Sequence, residues 1–284
     1  MIYFFIGVLC AAAVILIGTI AYDSNRFVTV EYHVRCRNLK RKYRFVMLSD
    51  LHNKRYGTHH EKLLAAIDAQ EPESILIAGD MLTSETPERF GPALELTETL
   101  AEKYPVYYAN GNHEYRMKTD EKHYGSGYRR YHAQLKRCGV VFLENESLLL
   151  PEPGIRLYGV EIGKKFYQKV KKGRMDAAYL KRLLGKPSAG EYNILIAHNP
   201  DYFPAYAEWG ADLVLSGHVH GGIMRLPLLG GVLSPALRLF PKYDGGLFQE
   251  GGSTMILGRG LGSHTIPIRI FNPGELIVVT LEPE

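Results

Sequence analysis

Cysteine is scarce in this chain of 284 residues, with three copies, at Cys10, Cys36 and Cys138. Because they are odd in number and far apart, a disulfide framework is not expected, and none has zinc-finger spacing. An excess of one charge is also missing, since 34 Lys and Arg face 30 Asp and Glu, a formal net charge of +4. Without a dominant basic block, the composition does not indicate a nucleic-acid-binding protein. The length is sufficient for one large domain with a sizeable core.

The N-terminus lacks charge altogether. From Ile2 to Ala21 the chain is almost entirely apolar and carries no charged residue, and this is about the length of 20 residues that a helix needs to cross a bilayer. A cleaved signal peptide is the alternative, but no Lys or Arg precedes the run and no clear small-x-small cleavage site follows it. We therefore predict an uncleaved transmembrane anchor over residues 1–22, which places the protein in the cell membrane.

The positive charges beside this anchor predict its orientation. No basic residue precedes it, and a basic segment that we interpret as a linker follows over residues 23–42. Because basic residues beside a span stay in the cytoplasm, we expect a single-pass topology with the domain on the cytoplasmic side.

Apolar runs of strand type alternate with helical patterns along residues 43–284, which we assign to one domain. The strand candidates are Tyr43–Leu48, Ser74–Ala78, Pro105–Ala109, Val140–Leu143, Ile155–Val160, Tyr192–Ala197, Ala211–Leu215, Thr254–Leu257, Ile266–Phe271 and Leu276–Leu281. The helical candidates are His60–Gln70, Pro87–Lys103, Tyr128–Arg137, Asp176–Leu184 and Asp201–Glu208. This alternation predicts an α/β fold. The last three strand candidates have no helix between them, which predicts antiparallel strands at the end of the sheet.

Polar side chains of related chemistry follow five of these apolar runs. They are Asp50 and His52, Asp80, Asn112 with His113 and Glu114, His198, and the pair His218 and His220 in the stretch SGHVHGG. One such Asp or Asn is usually a turn residue or a helix cap, and a lone His is more often a surface or satisfied residue than a ligand. Five coincidences at the same structural place are poorly explained in this way. Since ligands of open α/β sheets bind beyond the carboxyl ends of the strands, we expect these side chains to meet in one cleft.

The donor chemistry of this set favours divalent metal ions. Carboxylate, amide and imidazole donors together suit Mn²⁺, Fe²⁺ or Zn²⁺. The donors outnumber what one ion needs, so two ions are expected, and a pair ~3.5–4 Å apart can clamp an in-line displacement at phosphorus. His218 and His220 are two residues apart, and in an extended segment such residues share a face.

Five blocks of this chain resemble, in order, the signature blocks of the calcineurin-like metallophosphoesterases. They are Asp50-x-His52, Gly79-Asp80, Gly111-Asn112-His113-Glu114, His198 and Gly217-His218-x-His220. The resemblance runs from about Tyr43 to the C-terminus and is strongest to a bacterial membrane-associated branch, similar to UDP-2,3-diacylglucosamine pyrophosphatases and a Gram-positive phosphodiesterase. Ile223 departs from that branch, which often has Gln after the double glycine, and this puts a substrate contact in doubt. The implied fold class is two packed mixed β-sheets flanked by helices, here preceded by one transmembrane helix.

The resemblance also implies a role for each residue. Asp50, His52 and His220 are expected to hold one metal ion, Asn112, His198 and His218 the other, and Asp80 is expected to bridge both. His113 is not a ligand in this family and is expected near the scissile phosphate, as a general acid or a hydrogen-bond donor, with Glu114 or a nearby acid to orient it. The implied cofactors are two divalent ions, Mn²⁺ first, with Fe or Zn as alternatives.

Three features predict a substrate at the membrane. They are the anchor, the apolar stretch Pro227–Phe248, and the basic stretch Gly163–Arg174. Apolar loops and basic surfaces bind bilayer boundaries and anionic headgroups, although ordinary core and a solvated loop are the simpler interpretations. Arg259, in a Gly-rich turn, is a candidate contact for substrate phosphate or a structural arginine. The segment Tyr115–Tyr131 is either a cationic lid or a surface helix with its tyrosines packed inward.

We therefore expect a binuclear metal-dependent hydrolase that acts on a phosphodiester or pyrophosphate of a lipid-like or nucleotide-lipid substrate. One alternative is a nuclease or a general phosphodiesterase on soluble substrates, although no nucleic-acid partner is expected. Another is a catalytically silent membrane scaffold, against which the complete set of ligand blocks argues. The oligomeric state stays open.

Overall fold

The computed structural model describes residues 1–168, 173–226, 230–233, 239–263 and 268–284. The α-helices there are α1 (Ile2–Ser24), α2 (Glu61–Asp68), α3 (Gly91–Ala101), α4 (Asn112–Thr119), α5 (Glu121–Tyr124), α6 (Gly127–Arg137), α7 (Ala177–Leu184) and α8 (Phe203–Trp209). The strands are β1 (Phe27–Cys36), β2 (Tyr43–Leu48), β3 (Ser74–Ala78), β4 (Val106–Ala109), β5 (Val141–Phe142), β6 (Glu146–Leu150), β7 (Ile155–Gly159), β8 (Tyr192–Ile196), β9 (Leu213–Ser216), β10 (Met224–Leu226), β11 (Gly230–Leu233), β12 (Gly246–Glu250), β13 (Ser253–Leu257) and β14 (Gly274–Pro283). Two 3-10 helices span Lys164–Tyr167 and Pro200–Tyr202.

Two six-stranded mixed sheets organise the domain. The first has the order β1-β14-β2-β3-β4-β5, in which β2 to β5 are parallel and β14 runs antiparallel to β2. The second has the order β12-β13-β9-β8-β7-β6, in which β13, β9, β8 and β7 are parallel and both edge strands are antiparallel. The predicted α/β fold of two packed mixed sheets flanked by helices is confirmed.

Apolar side chains fill three layers around these sheets. The layer between the sheets includes Phe45, Leu76, Ile194 and Leu215. The outer face of the first sheet packs on α2, α3 and α6, and the outer face of the second packs on α7 and α8. Because the central strands are covered on both faces, they appear in the sequence as continuous apolar runs rather than alternating ones.

The segment 23–42, interpreted from the sequence as a basic linker, contains the ten-residue strand β1. The linker interpretation is wrong for Phe27–Cys36, which pairs in parallel with β14. Within it, Thr29, Glu31, His33 and Arg35 are exposed, and the residues between them are partly or fully buried. This alternation has the period of two that is typical of a strand with one buried face.

Three sequence predictions fall partly outside the described residues. Lys169–Lys172 of the basic stretch do so, as do 227–229 and 234–238 of the apolar stretch and 266–267 of the predicted strand Ile266–Phe271. In the described part of that last segment, Ile270 forms a single bridge to Met224.

Helix α1 is 23 residues long and apolar on all sides, and its side chains are exposed over almost its whole length. It is therefore a candidate membrane span by length and composition, in agreement with the predicted anchor.

Candidate metal centre

The polar residues predicted from the sequence meet where the carboxyl ends of the parallel strands of both sheets face each other. The loops after β2, β3, β8 and β9 carry Asp50 and His52, Asp80, His198, and His218 and His220, and α4 begins with Asn112 and His113. The structure thus brings together side chains from both sheets, as a parallel α/β topology predicts.

These side chains form two ligand clusters. Cluster 1 is Asp50, His52 and His220, and cluster 2 is Asp80, His198 and His218; in each, one donor atom per residue lies within 4.8 Å of the others. A third grouping joins Asp80 to His52 and His113 within the same distance. Asp80 belongs to cluster 2 and also lies within this distance of His52 in cluster 1. This is the arrangement expected of a carboxylate between two ions.

The shortest contacts show how tightly the donors converge. In cluster 1, the Nε2 atoms of His52 and His220 are 3.1 Å apart, and His220 Nε2 is 3.5 Å from Asp50 Oδ1. In cluster 2, His198 Nε2 is 3.0 Å from Asp80 Oδ2, and it is 3.7 Å from Asp50 Oδ1. Donors this close to one another suit a small cation placed among them.

Two histidines have their ring orientation set by backbone carbonyls. His198 Nδ1 lies 2.6 Å from the carbonyl oxygen of Ala78, and His220 Nδ1 lies 3.3 Å from that of Gly262. A carbonyl only accepts, so each Nδ1 carries a proton, and each Nε2 is turned to the centre, where it offers a lone pair whenever the ring is neutral. Metal-ligating histidines are usually held in this way.

Asn112 supplies a further test of the fit to a metal ion. Its Oδ1 atom is buried and has no hydrogen-bond partner among the described residues. Leaving such an acceptor unsatisfied costs about 1–3 kcal/mol, and a divalent ion bound to the amide oxygen would offset that cost. The donor set of this chain therefore fits the two ions that the family resemblance implies.

The buried acids of the centre also favour the binding of a cation. Burial raises the pKa of Asp50 to about 6. Burial acts in the same direction on Asp80, but the charge on His198 holds its pKa well below the usual range. His198 responds to both acids: burial lowers its pKa, but the Asp80 and Asp50 carboxylates raise it to about 10. Two buried carboxylates thus recruit a proton onto His198 when no cation is near, and divalent ions would displace that proton.

The backbone around the clusters is held in a costly conformation. Asp50, His52, Asp80, His218 and His220 all have positive φ, between 47° and 76°. Non-glycine residues in this region cost on the order of 1–3 kcal/mol each and concentrate at functional sites. Gly79 is required at its position, because its φ is 83° and a Cβ would lie 2.4 Å from the nitrogen of Gly111.

His113 is oriented by Ser84. The backbone N–H of Ser84 donates to His113 Nδ1 at 2.8 Å, and Ser84 Oγ is 2.9 Å from the same atom. A backbone N–H can only donate, so Nδ1 accepts and the ring proton sits on Nε2, which lies 4.0 Å from Asp80 Oδ2. His113 therefore presents an N–H to the centre.

Glu114 has a different role from the one suggested by the sequence. Its buried carboxylate accepts from the backbone N–H groups of Asp80, Leu82 and Gly111 at 2.9–3.1 Å and from the Tyr108 hydroxyl at 2.9 Å. It thus ties the loop after β3 to the loop after β4 and makes none of these bonds to the His113 ring. Burial, with the Asp80 charge, raises the pKa of Glu114 to about 7.

Two residues outside the predicted set, Asn272 and Arg269, support the loops of the centre. Asn272 is fully buried, and its Nδ2 donates to the carbonyl oxygens of His220 and Gly222, each at 2.7 Å. Arg269 is 2% exposed and donates to the backbone carbonyls of the turn that runs past Asp50, those of Arg259, Gly260 and Gly262. No local pattern in the sequence reveals a side chain that binds distant carbonyls.

Arg259 lies beside the loop that carries His220. Its Nη2 is 2.6 Å from Glu275 Oε1, and a Cβ on Gly221 would lie 2.8 Å from its Cδ. Its charge is therefore largely compensated by a buried carboxylate. Its contact with substrate phosphate stays a prediction.

A pocket of about 260 Å³ opens next to Asn112. It is lined by Asn112, Tyr115, Arg116, Lys164, Tyr167 and Gln168. Arg116 is partly buried and has no carboxylate partner among the described residues, and Lys164 is 4.0 Å from Asp120. The pocket therefore carries positive charge. In the segment Tyr115–Tyr131, Tyr128 and Tyr131 are buried in the core on α6, as expected of a surface helix with its tyrosines packed inward.

Comparison with known proteins supports this picture of the site. Residues 43–222 match the family model described as calcineurin-like phosphoesterase. The chain is 27% identical over 224 residues to phosphodiesterase YaeI of Escherichia coli (strain K12), covering 78% of this chain and 76% of that protein. It is 25% identical over 245 residues to the uncharacterized metallophosphoesterase YkuE of Bacillus subtilis (strain 168), covering 84% and 79%. It is also 26% identical over 250 residues to a transmembrane protein with metallophosphoesterase domain of Danio rerio, covering 84% and 53%.

Proposed function

We propose that this chain, a member of the calcineurin-like phosphoesterase family and a metallophosphoesterase, acts on a substrate at the membrane. The bond that it hydrolyses would be a phosphodiester or pyrophosphate of a lipid-like or nucleotide-lipid substrate. The observation that carries the proposal is the pair of ligand clusters joined by Asp80. Cluster 1 would hold one divalent ion, and His198 and His218 of cluster 2 would hold the other together with Asn112. Asp80 would contact both.

Two ions of this kind, when bound, neutralise charge on the phosphate and lower the pKa of a coordinated water. Mn²⁺ suits the mixed carboxylate, amide and imidazole donors, with Fe or Zn as alternatives. The protein fixes the donors in advance through the carbonyls of Ala78 and Gly262. Little reorganisation is then needed when the substrate arrives, which is a main source of catalytic power.

His113 supplies the hydrogen-bond donor. Because Ser84 occupies Nδ1, the Nε2–H of the neutral ring is directed at the region between the clusters. In that position it stabilises negative charge that develops on a phosphoryl or leaving oxygen.

The cationic pocket favours a substrate with charge beyond the scissile group. Arg116 and Lys164 line it beside Asn112, and an arginine without a carboxylate partner is available for bidentate contact with a phosphate or carboxylate. A diester or pyrophosphate places such a group one linkage away from the attacked phosphorus. Arg259 is a second candidate contact for substrate phosphate.

The membrane part of the proposal rests on α1 and on exposed apolar residues. Helix α1 is long and apolar enough to span a bilayer, and basic residues follow it, which favours a domain on the cytoplasmic side. In the described part of the apolar stretch, Leu239 and Phe240 are 68% and 60% exposed. Side chains of this kind fit an enzyme whose substrate lies in the same bilayer.

The test is a substrate screen with the purified full-length protein in detergent. Metal content would be measured first, and activity would then be compared after chelation and after Mn²⁺, Fe²⁺ or Zn²⁺ is restored. The substrates would be a lipid pyrophosphate, a phospholipid diester, soluble aryl diesters and monoesters, and DNA. We expect metal-dependent cleavage with preference for the lipid substrates; equal or better cleavage of the soluble diesters or DNA would contradict the lipid assignment, and absence of bound metal would favour a silent scaffold.

A further inference from the structure

Helix α1 enters the domain at the edge that carries the metal centre. It ends at Ser24, and β1 begins at Phe27, which pairs with Gly274 at the start of β14. Strand β14 runs antiparallel to β2, with Ile277 opposite Met47, so its start lies level with the loop that follows β2. Phe27 therefore lies level with Asp50 along the strand direction and about two strand spacings, roughly 10 Å, from it across the sheet.

The junction is held by side chains next to the centre rather than by a free linker. Lys54 Nζ donates to the carbonyl oxygen of Ser24, and the backbone N–H of Arg269 donates to Ser24 Oγ at 3.3 Å. Lys54 follows the cluster 1 ligand His52 by two residues, which is at most ~7 Å of chain. Arg269 is the same residue that holds the turn beside Asp50.

Ring packing and a backbone bond secure the next residues. The Phe27 and Tyr56 rings meet edge to face at 5.0 Å, and the Gly274 N–H donates to the carbonyl oxygen of Arg26 at 3.2 Å. The Tyr56 hydroxyl donates to the carbonyl oxygen of Leu261 at 2.6 Å. The end of α1 is therefore fixed to the segments around the metal centre, and these contacts restrict the distance between α1 and the centre.

The same edge exposes large apolar side chains. Among the described residues outside α1, the most exposed ones of this type are Leu239 at 68%, Phe240 at 60% and Phe271 at 55%. Phe271 follows Arg269 by two residues, and the chain segments lie side by side in the order Ile270, β10, β11, Phe240. Phe240 and Phe271 also have positive φ, at 46° and 52°, which is uncommon for bulky residues. Phe271 is three residues before Gly274, which pairs with Phe27 at the start of β1, and Phe240 lies on the other side of β10 and β11. Strained, exposed phenylalanines of this kind indicate a surface with an apolar partner.

We propose that this face, formed by Leu239, Phe240 and Phe271, rests in the surface of the bilayer from which α1 emerges, so that the metal centre opens at the level of the lipid headgroups. This inference rests on the anchoring role of α1 in the proposed function and adds an orientation and a substrate source to it. The occupant is the bilayer because α1 and the apolar face share one edge of the domain. A phosphoester carried by a lipid of that bilayer then reaches the centre without leaving the membrane.

Tryptophan reporters in vesicles test the orientation directly. Phe240→Trp and Phe271→Trp would be compared with Val141→Trp and Leu149→Trp, whose parent side chains are 38% and 37% exposed on β5 and β6, strands at sheet edges away from α1. The native Trp209 is 6% exposed and gives the same background in every variant. Each full-length variant would be reconstituted in phosphatidylcholine vesicles with brominated acyl chains, which quench fluorescence only at short range.

We expect emission at positions 240 and 271 to be quenched several-fold more than at 141 and 149. Equal quenching at all four positions would overturn the proposal. So would weak quenching everywhere combined with emission at 240 and 271 that changes with protein concentration in detergent, since that result assigns the face to a second copy of the chain.

Quenching does not depend on catalysis, so the two proposals fail separately. Strong quenching at 240 and 271 without hydrolysis of any phosphoester would keep the orientation and reject the proposed function. Hydrolysis without quenching at 240 and 271 would keep the proposed function and reject the orientation.

Discussion

Cluster 1 and cluster 2 lie a few ångströms apart, yet their surroundings differ. Cluster 1 is closed in by the C-terminal part of the chain, where Asn272 holds the His220 loop and Arg269 holds the turn beside Asp50. Cluster 2 borders the cationic pocket with Arg116 and the Tyr167 ring, which is 5.3 Å from the His218 ring. From this difference we expect one half of the centre to hold its ion and the other half to admit the substrate.

The largest effect is expected from Asp80, which belongs to both halves. Asp80→Asn keeps the shape but removes the charge, so we expect kcat to fall on the order of 10³-fold or more and the bound metal to drop below two ions per chain. Metal analysis and steady-state kinetics would measure both.

Asp68→Asn is the matched control, because Asp68 pairs with Lys103 on the surface. It should leave kcat and metal content unchanged. Two tightly bound ions in Asp80→Asn would show that Asp80 does not join the clusters.

The next effect separates hydrogen-bond donation from metal binding. His113→Gln should lower kcat about 10²–10⁴-fold while both ions stay bound. Ser84→Ala should cost only a few-fold, because the backbone N–H of residue 84 still donates to Nδ1 and keeps the proton on Nε2. If Ser84→Ala were as damaging as His113→Gln, orientation of the ring by that backbone bond would be disproved.

A third substitution tests the closed half. Asn272→Ala removes the donor that holds the His220 and Gly222 carbonyls, and losses of this kind weaken metal binding about 10–100-fold. We expect one of the two ions to be lost at lower chelator concentration than in the parent protein, with the other retained.

Asn193 offers the control for Asn272. It is also buried, and its Nδ2 donates to the Ser188 carbonyl at 2.9 Å, but it lies at the opposite end of β8 from the centre. Asn193→Ala should lower stability without changing either metal affinity. Equal chelator sensitivity of the two variants would contradict the assigned role of Asn272.

The side chains of the two clusters were predictable as neighbours from the sequence, because each follows a strand that appears as a continuous apolar run. Parallel strands bring their carboxyl ends to one edge, so local position implies proximity across long stretches of chain. Asp50 and His218 are an example: the backbone N–H of His218 donates to both carboxylate oxygens of Asp50, at 3.0 and 3.1 Å.

The supporting residues and strand β1 were not predictable in the same way. Arg269 and Asn272 bind backbone carbonyls, which any sequence supplies, so nothing at the partner positions marks the contact. Strand β1 does show a period of two, but its basic residues beside the anchor resemble a linker, and its partner β14 lies far along the chain. Such features depend on tertiary pairing rather than on local pattern.

The smallest effect is expected in the open half. Arg116 and Lys118 are two residues apart on α4, but their contacts differ. Arg116 lines the pocket without a carboxylate partner among the described residues, whereas Lys118 Nζ is 2.9 Å from both Glu144 and Glu161. Arg116→Met should raise KM for a diester or pyrophosphate roughly 10-fold, since a hydrogen bond to a charged group contributes about 1.5–3 kcal/mol, and should leave KM for a simple monoester nearly unchanged. Lys118→Met should instead lower the melting temperature and leave both KM values alone, because it unpairs a buried glutamate. If the two variants raised KM alike, the pocket would not distinguish substrates through Arg116, and cluster 2 would be no more a substrate entrance than cluster 1.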